Sequence, residues 1–206
     1  MKKIKLTKLD IYTALLTLCS MLPGLFVYNR LPDKIATHFG VSGEPDRYSS
    51  KVFAVIAMPL ILTAIHLFSC IVTGLDARTD NSAKTKNIVR FLTPAIAFMV
   101  ESLTVLYALE KLTDITTAAS CFLAVLSIVL GNYMPKTRQN SFIGIKTHKT
   151  LSDEAIWDKV HRAAGYVMTG AGIISLICIF AIDPFVGSMI PVAAVLGLTI
   201  YGFTAK

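Results

Sequence analysis

His38 lies with Asp33, Glu44 and Asp46 in a polar segment that includes THFGVSGEPDRYSSK, residues 37–51. An imidazole among three carboxylates has the chemistry of a divalent-metal site, but this spacing matches no standard ligand pattern. A loop hydrogen bond is the simpler reading, and the sequence predicts no metal. Trp157 and His161 are four residues apart in TLSDEAIWDKVHRAAG, so on a helix they share a face. That face suits either an anchor at the membrane surface or a partner-binding surface that includes Arg138, Asn140 and Arg162. His66 and Glu101 sit inside apolar runs, where an ionisable group costs roughly 2.5–3.5 kcal/mol at a helix centre. Pairing across neighbouring helices lowers that cost. A structural hydrogen bond, a proton relay and the floor of a peptide cavity all remain open for this pair. Cys19, Cys70, Cys121 and Cys178 show no C-x-x-C or Cys/His spacing and read as small buried hydrophobes. GNYMPK and GIKTHK are too short for a phosphate loop, and no nucleophile motif is present. The sequence therefore predicts a protein that is not an enzyme and needs no cofactor.

The elements that hold these residues are set by composition. Of 206 residues, 54% are hydrophobic and 16% charged, against about 25% charged in soluble domains. The apolar residues cluster in long uncharged runs, the pattern of membrane-spanning helices. Spans are expected at 9–28, 52–74, 91–109, 116–134, 163–182 and 185–204. The fold class is all-α, a six-span membrane bundle, organised as a two-span unit (1–74) with an external loop (29–51) and a four-span unit (75–206) with an internal loop (135–162). The first run resembles a signal peptide in its basic start. It is longer than a usual signal core and no small-residue cleavage site follows, so it is expected to remain as a span. Pro23-Gly24 and Pro59 are expected to kink the first two spans. The short connections Glu110 to Ile115 and Asp183-Pro184 predict two antiparallel hairpins. Small residues four apart, Ala171 with Ser175 and Ala193 with Gly197, predict close packing of the last two spans.

Charge distribution predicts sidedness. Of 20 Lys and Arg, only Arg30, Lys34, Arg47, Lys51 and Lys111 fall in the loops after spans one, three and five. The others lie at the termini and in the loops after spans two and four. Short loops rich in Lys and Arg stay cytoplasmic, so both termini are expected inside and residues 29–51 outside. The net charge of +7 then reflects orientation and contact with anionic lipid rather than direct nucleic-acid binding. In the outer loop, Gly43-Glu44-Pro45-Asp46 reads as a turn, and Ile35, His38, Phe39 and Tyr48 predict a loop folded against the membrane or the helix ends. His38, Phe39, Asp46 and Tyr48 are its candidate ligand-binding residues. In the inner loop, Pro135 ends span four, and Ser152 reads as the cap of an interfacial helix with Asp153 and Glu154 in its first turn. Ile156, Trp157, Val160 and Ala164 form its apolar face, with Trp157 at headgroup depth.

Two longer patterns run through these loops. The first is L-P-x-x-I-x-x-H-F, then G-x-P-D and a lysine, on Leu31, Pro32, Ile35, His38, Phe39, Gly43, Pro45, Asp46 and Lys51. The second is N-Y-x-P-K-x-R-x-N-x-F-I-G-I-K-T, then T-L-S-x-E-x-x-W-x-K-x-H-R-x-x-G, running from Asn132 to Gly165. Together they resemble the SdpI/YfhL family of bacterial membrane proteins over nearly the whole chain. One position departs, since His148-Lys149 stands where family members often carry Pro-Trp. The resemblance implies a multi-pass protein of the bacterial cell membrane that protects a toxin-producing cell from its own secreted peptide. It also implies signalling, by holding a small cytoplasmic DNA-binding repressor at the membrane. The expected partners are the lipid bilayer, the peptide toxin and that repressor. The alternatives are a proton-coupled exporter, for which Glu101 is essential, and a membrane sensor without a direct role in immunity.

Overall fold

The structure is a computed structural model that describes residues 6–40, 42–75 and 83–206; the basic positions Lys2, Lys3, Lys5 and Arg78 lie outside the described residues. The chain is 76% helical, and among the described residues six helices are long and apolar enough to cross a membrane, at 8–26, 53–75, 90–108, 115–136, 154–181 and 184–204. It is a multi-pass membrane protein. Five of the six spans agree with the hydropathy reading to within two residues. The fifth starts nine residues earlier, because the amphipathic segment around Trp157 continues into the span as one helix.

By contacts the chain forms two compact units, one of residues 1–75 with 86–115 and one of 76–85 with 116–206. In the first unit, α1 (Lys8–Cys19) starts with a capping box in which Thr7 and Asp10 satisfy each other's backbone amides. It breaks before α2 (Leu22–Phe26). Pro23 has no amide hydrogen for the Cys19 carbonyl and its ring crowds that turn, so the expected kink is a full interruption. A short 3-10 turn, Tyr28–Arg30, leads into strands β1 (Lys34–Phe39) and β2 (Pro45–Ser50). The second span opens with a π-helical turn, Phe53–Ala57, ahead of α3 (Met58–Leu75). The wider turn falls just before Pro59, where an ordinary helical bond is unavailable. The third span is α4 (Ala83–Ala108), with Pro94 inside it.

In the second unit, α5 (Ile115–Tyr133) ends in a 3-10 turn at Met134–Lys136, where Pro135 stops it as expected. α6 (His148–Ser152), α7 (Glu154–Ala181) and α8 (Pro184–Thr204) follow. Asp153, not Ser152, caps α7, accepting from the amides of Ala155 and Ile156; Ser152 belongs to the end of α6. A carboxylate at the cap meets the positive end of the helix dipole as well as its free amides. α7 and α8 are joined by the tight turn at Asp183, whose side chain caps α8.

Of the two small-residue pairs, only one packs. Ala171 and Ser175 are buried, and Ser175 Oγ donates to the Gly187 carbonyl at 2.7 Å. Pro191 leaves that carbonyl without its helical donor, so the hydroxyl closes a gap the proline opens. Ala193 and Gly197 instead lie exposed, with nothing near Gly197. The close approach on α8 is made by Gly187, where an added Cβ would come within 2.5 Å of Ile179 Cγ1.

Candidate functional site

The long motif of the second unit builds a clasp rather than an open surface. Its centre is the stacked pair Trp157 and His161, with ring centroids 3.8 Å apart at 16°. Both are buried, at 0% and 1% exposure. Trp157 Nε1 donates to the Thr137 carbonyl at 2.7 Å. His161 Nδ1 lies 2.8 Å from the Trp157 carbonyl, which only accepts, so Nδ1 carries the proton. The Ile145 amide donates to Nε2 at 3.1 Å. The two backbone groups thus select one neutral tautomer, and the ring links α7 to the loop. Gly144, at a φ of 123°, lies over the pair, and a Cβ there would overlap His161 Nε2. Only glycine fits on both counts.

The rest of the loop is tied in the same way. Asn140 is 1% exposed and uses its whole amide: Oδ1 accepts from the amides of Phe142 and Ile143, and Nδ2 donates to the carbonyls of Arg138 and Ile143. Thr150 Oγ1 donates to the Ile145 carbonyl at 2.8 Å, and Thr147 Oγ1 to the Gly202 carbonyl at 2.8 Å. Lys149 Nζ donates to the Ala205 carbonyl at 3.0 Å. The residue pair that departs from the family pattern therefore anchors α8, through a lysine at the negative end of its dipole.

Trp157 is accordingly a core residue and not an anchor at headgroup depth. The structure brings Asn140, Trp157 and His161 together in the interior. It leaves Arg138 and Arg162 exposed, along with Asp158 and Lys159.

In the first unit the segment after the first span, read as a loop with a turn, forms an antiparallel hairpin of β1 and β2. Ile35 pairs with Ser49, Ala36 with Tyr48 and His38 with Arg47, with a bulge on either side of His38. Bulges twist a strand edge and re-aim its side chains. The Gly40 amide donates to the Glu44 carbonyl and the Gly43 amide to the Gly40 carbonyl, with Gly43 at a φ of 81°, so Pro45 and Asp46, expected in the turn, already belong to β2. His38 Nδ1 sits 2.6 Å from Asp46 Oδ1 on the exposed surface, the loop contact expected from the sequence. Phe39 packs edge-on against Tyr107 at 4.8 Å, while Tyr48 is 57% exposed. Ile35 and Leu31 seat the hairpin on Ala54, Val55 and Val105. Lys51 closes its base, 2.9 Å from Asp33, whose carboxyl is thereby held below the usual carboxylate range. Beside the hairpin is a groove of about 370 Å³, lined by Pro32, Lys34, Tyr48, Tyr107, Glu110 and Thr113 among others.

Buried polar groups complete the first unit. His66 Nε2 is 2.9 Å from Thr13 Oγ1, while its Nδ1 and Glu101 Oε1 have no hydrogen-bond partner. His66 and Glu101 are therefore not paired. Glu101 lies instead against α2, where a Cβ on Gly24 would come within 2.6 Å of its Oε1. Sequence reasoning missed a buried ion pair, Arg90 Nε to Asp10 Oδ1 at 2.6 Å, with Arg90 also reaching Thr7 and Asn87. The available signal was an aspartate inside an apolar run, which needs a partner.

Fold and side chains define a multi-pass helical membrane protein with one hairpin-bearing unit and one clasped unit. Within that class, comparison with known proteins finds similarity to the SdpI/YfhL protein family, the family that the sequence motifs resemble. Residues 136–205 match that family, and residues 15–63 match a domain of unknown function, DUF1648. The chain is also 23% identical to the immunity protein SdpI of Bacillus subtilis over 196 residues, covering 94% of this chain and 92% of that one. No solved structure matches.

Proposed function

We propose that this is a membrane immunity protein, which protects the cell that carries it against a secreted antimicrobial peptide. The observation that carries the reading is the similarity to the immunity protein SdpI along nearly the full length of both chains, joined to six apolar helices of spanning length. In this reading the charge bias of the loops orients the chain with both termini in the cytoplasm and presents the hairpin outside. The groove beside it and the exposed His38, Asp46 and Tyr48 meet the peptide there, and Phe39 fixes the hairpin against Tyr107. The protein acts by binding and not by catalysis. Expression in a sensitive bacterium raises survival under the cognate peptide, and His38→Ala with Tyr48→Ala lowers it without lowering the amount of protein in the membrane. Equal survival with and without the protein, across the peptides of such systems, overturns the reading.

The finer proposal is that the clasped unit holds a small cytoplasmic DNA-binding repressor. Its support is an exposed charged surface, Arg138, Asp158, Lys159 and Arg162, on a rigid base. Toxin-dependent co-purification of such a protein, lost on Arg138→Ala with Arg162→Ala, is the expected result. Co-purification that survives both changes counts against it.

A further inference from the structure

Asp10, Thr13, Thr17, Ser20 and Gly24 follow one another at intervals of three and four residues, so they line one face of the first span. The four polar ones are 0–5% exposed. A polar face buried inside a membrane helix is costly unless it has partners, and here the partners are unevenly supplied. At one end Asp10 has Arg90, and Thr13 has His66. Among the described residues the buried side-chain atoms left without a hydrogen bond are Ser20 Oγ, His66 Nδ1 and Glu101 Oε1, and all three belong to this unit. Ser20 sits where the first span is interrupted, and Glu101 is met one turn later, against Gly24. The seam from Asp10 to Gly24 covers about 21 Å at the helical rise of 1.5 Å per residue.

Beyond Glu101 the seam stops. Val55, which touches the same face of Gly24, belongs to an apolar cluster with Leu31, Ile35, Ala54 and Val105. The groups that titrate or carry charge along the seam are Asp10 from the first span, His66 and Cys70 from the second, and Arg90 and Glu101 from the third. Broken helices with orphaned polar atoms at depth are where membrane proteins place small cations. A divalent metal needs about six oxygens at once, whereas these oxygens are offered singly along a line, which suits a proton passed between hydroxyls and water.

We propose that Glu101 is a proton-binding site at the blind end of this seam, loaded from the Asp10–Arg90 end and sealed on the hairpin side by the apolar cluster. A hydronium ion at the Asp10 end gives up its proton, breaking one of its O–H bonds and leaving water, and an O–H bond forms at Glu101 Oε1. Release reverses the step, with no change in oxidation state. Because the hairpin residue Ile35 is part of the seal, seating of the hairpin controls whether Glu101 has a second exit. This proposal does not rest on the immunity reading, since it is tested with no toxin present.

The test is infrared difference spectroscopy of the full chain in lipid nanodiscs across a pH titration, with hydrogen–deuterium exchange. The expected result is a protonated-carboxyl stretching band that changes with pH and is lost in Glu101→Gln. Ser20→Ala keeps the carboxyl, so it should keep the band but exchange it more slowly, which tests the seam even where Glu101→Gln fails to fold. A band unchanged in Glu101→Gln, exchange unaffected by Ser20→Ala, or displacement of the band by sodium at fixed pH overturns the proposal.

Discussion

Gly144→Ala tests the clasp at its tightest point, and the chain carries its own reporter, because Trp157 is its single tryptophan. Two costs arise. A φ of 123° lies in a region that residues with a Cβ avoid, at about 1–3 kcal/mol. The new methyl also overlaps His161 Nε2, and forcing extra volume into a packed site costs about 1–3 kcal/mol. Taking the lower bound of each gives about 2 kcal/mol, which for a chain of this size lowers a thermal midpoint by about 4–8 °C. If the ring moves instead, the Ile145 amide loses its acceptor and Trp157 loses its stacked neighbour. Tryptophan emission should then shift to longer wavelength and acrylamide quenching should increase. Gly170→Ala is the control, since nothing lies within 4 Å of a Cβ there, and it should leave the spectrum and midpoint as they are or raise the midpoint slightly. A Gly144→Ala protein with native emission, native quenching and a native midpoint would refute the claim that this glycine is required by the stacked pair.

Asp10→Asn or Arg90→Met alone should lower stability by about 3–5 kcal/mol, the cost of stranding one buried charge, whereas the double change should recover much of it; a double-mutant cycle on thermal midpoints reads this, and additive losses would count against a coupled pair. Gly24→Ala should destabilise the first unit through its approach to Glu101 and Val55, and Val55→Ala should partly rescue it; a rescue no better than Val55→Ala alone sinks that account. The Asp33–Lys51 contact depresses the carboxyl's protonation, so its contribution is complete above the ordinary carboxylate pKa and fades as the pH falls through the lowered one. Protection of the Lys51 amide, taken relative to its intrinsic exchange rate at each pH, should therefore fall under acid conditions and with added salt, and Asp33→Asn should remove the acid-dependent part. The effect is small because Asp33 is solvent-exposed.

The six spans, the tight hairpin of α7 and α8 and the stop at Pro135 were legible in the amino-acid sequence, and Pro23 marked where the first span is disturbed. Each is a local property: hydropathy averages over about 20 neighbours along the chain, and a proline acts on its own turn. The pattern that linked residues 132–165 to known membrane proteins was equally legible, because it is a string of residue types. What those residues do was not. Asn140, Trp157 and His161 have the look of a recognition surface, and only folding showed that they bind one another and the backbone of their own loop. The hairpin around His38 was hidden because its period-two pattern is short, bulged and half exposed.

Partner choice among the buried polar groups belongs to tertiary structure for the same reason. His66 and Glu101 lie at similar depths on sequential spans, so depth alone suggested a pair. Helix rotation turns His66 toward Thr13 and Glu101 toward Gly24, and rotation is set by the packing of all three helices together. The sequence by itself determined where the chain enters and leaves the membrane, since that depends on apolar length. Which polar groups meet inside was decided only when the helices packed, because a hydrogen bond requires two specific atoms to come within about 3 Å and no local pattern encodes the distance between separate helices.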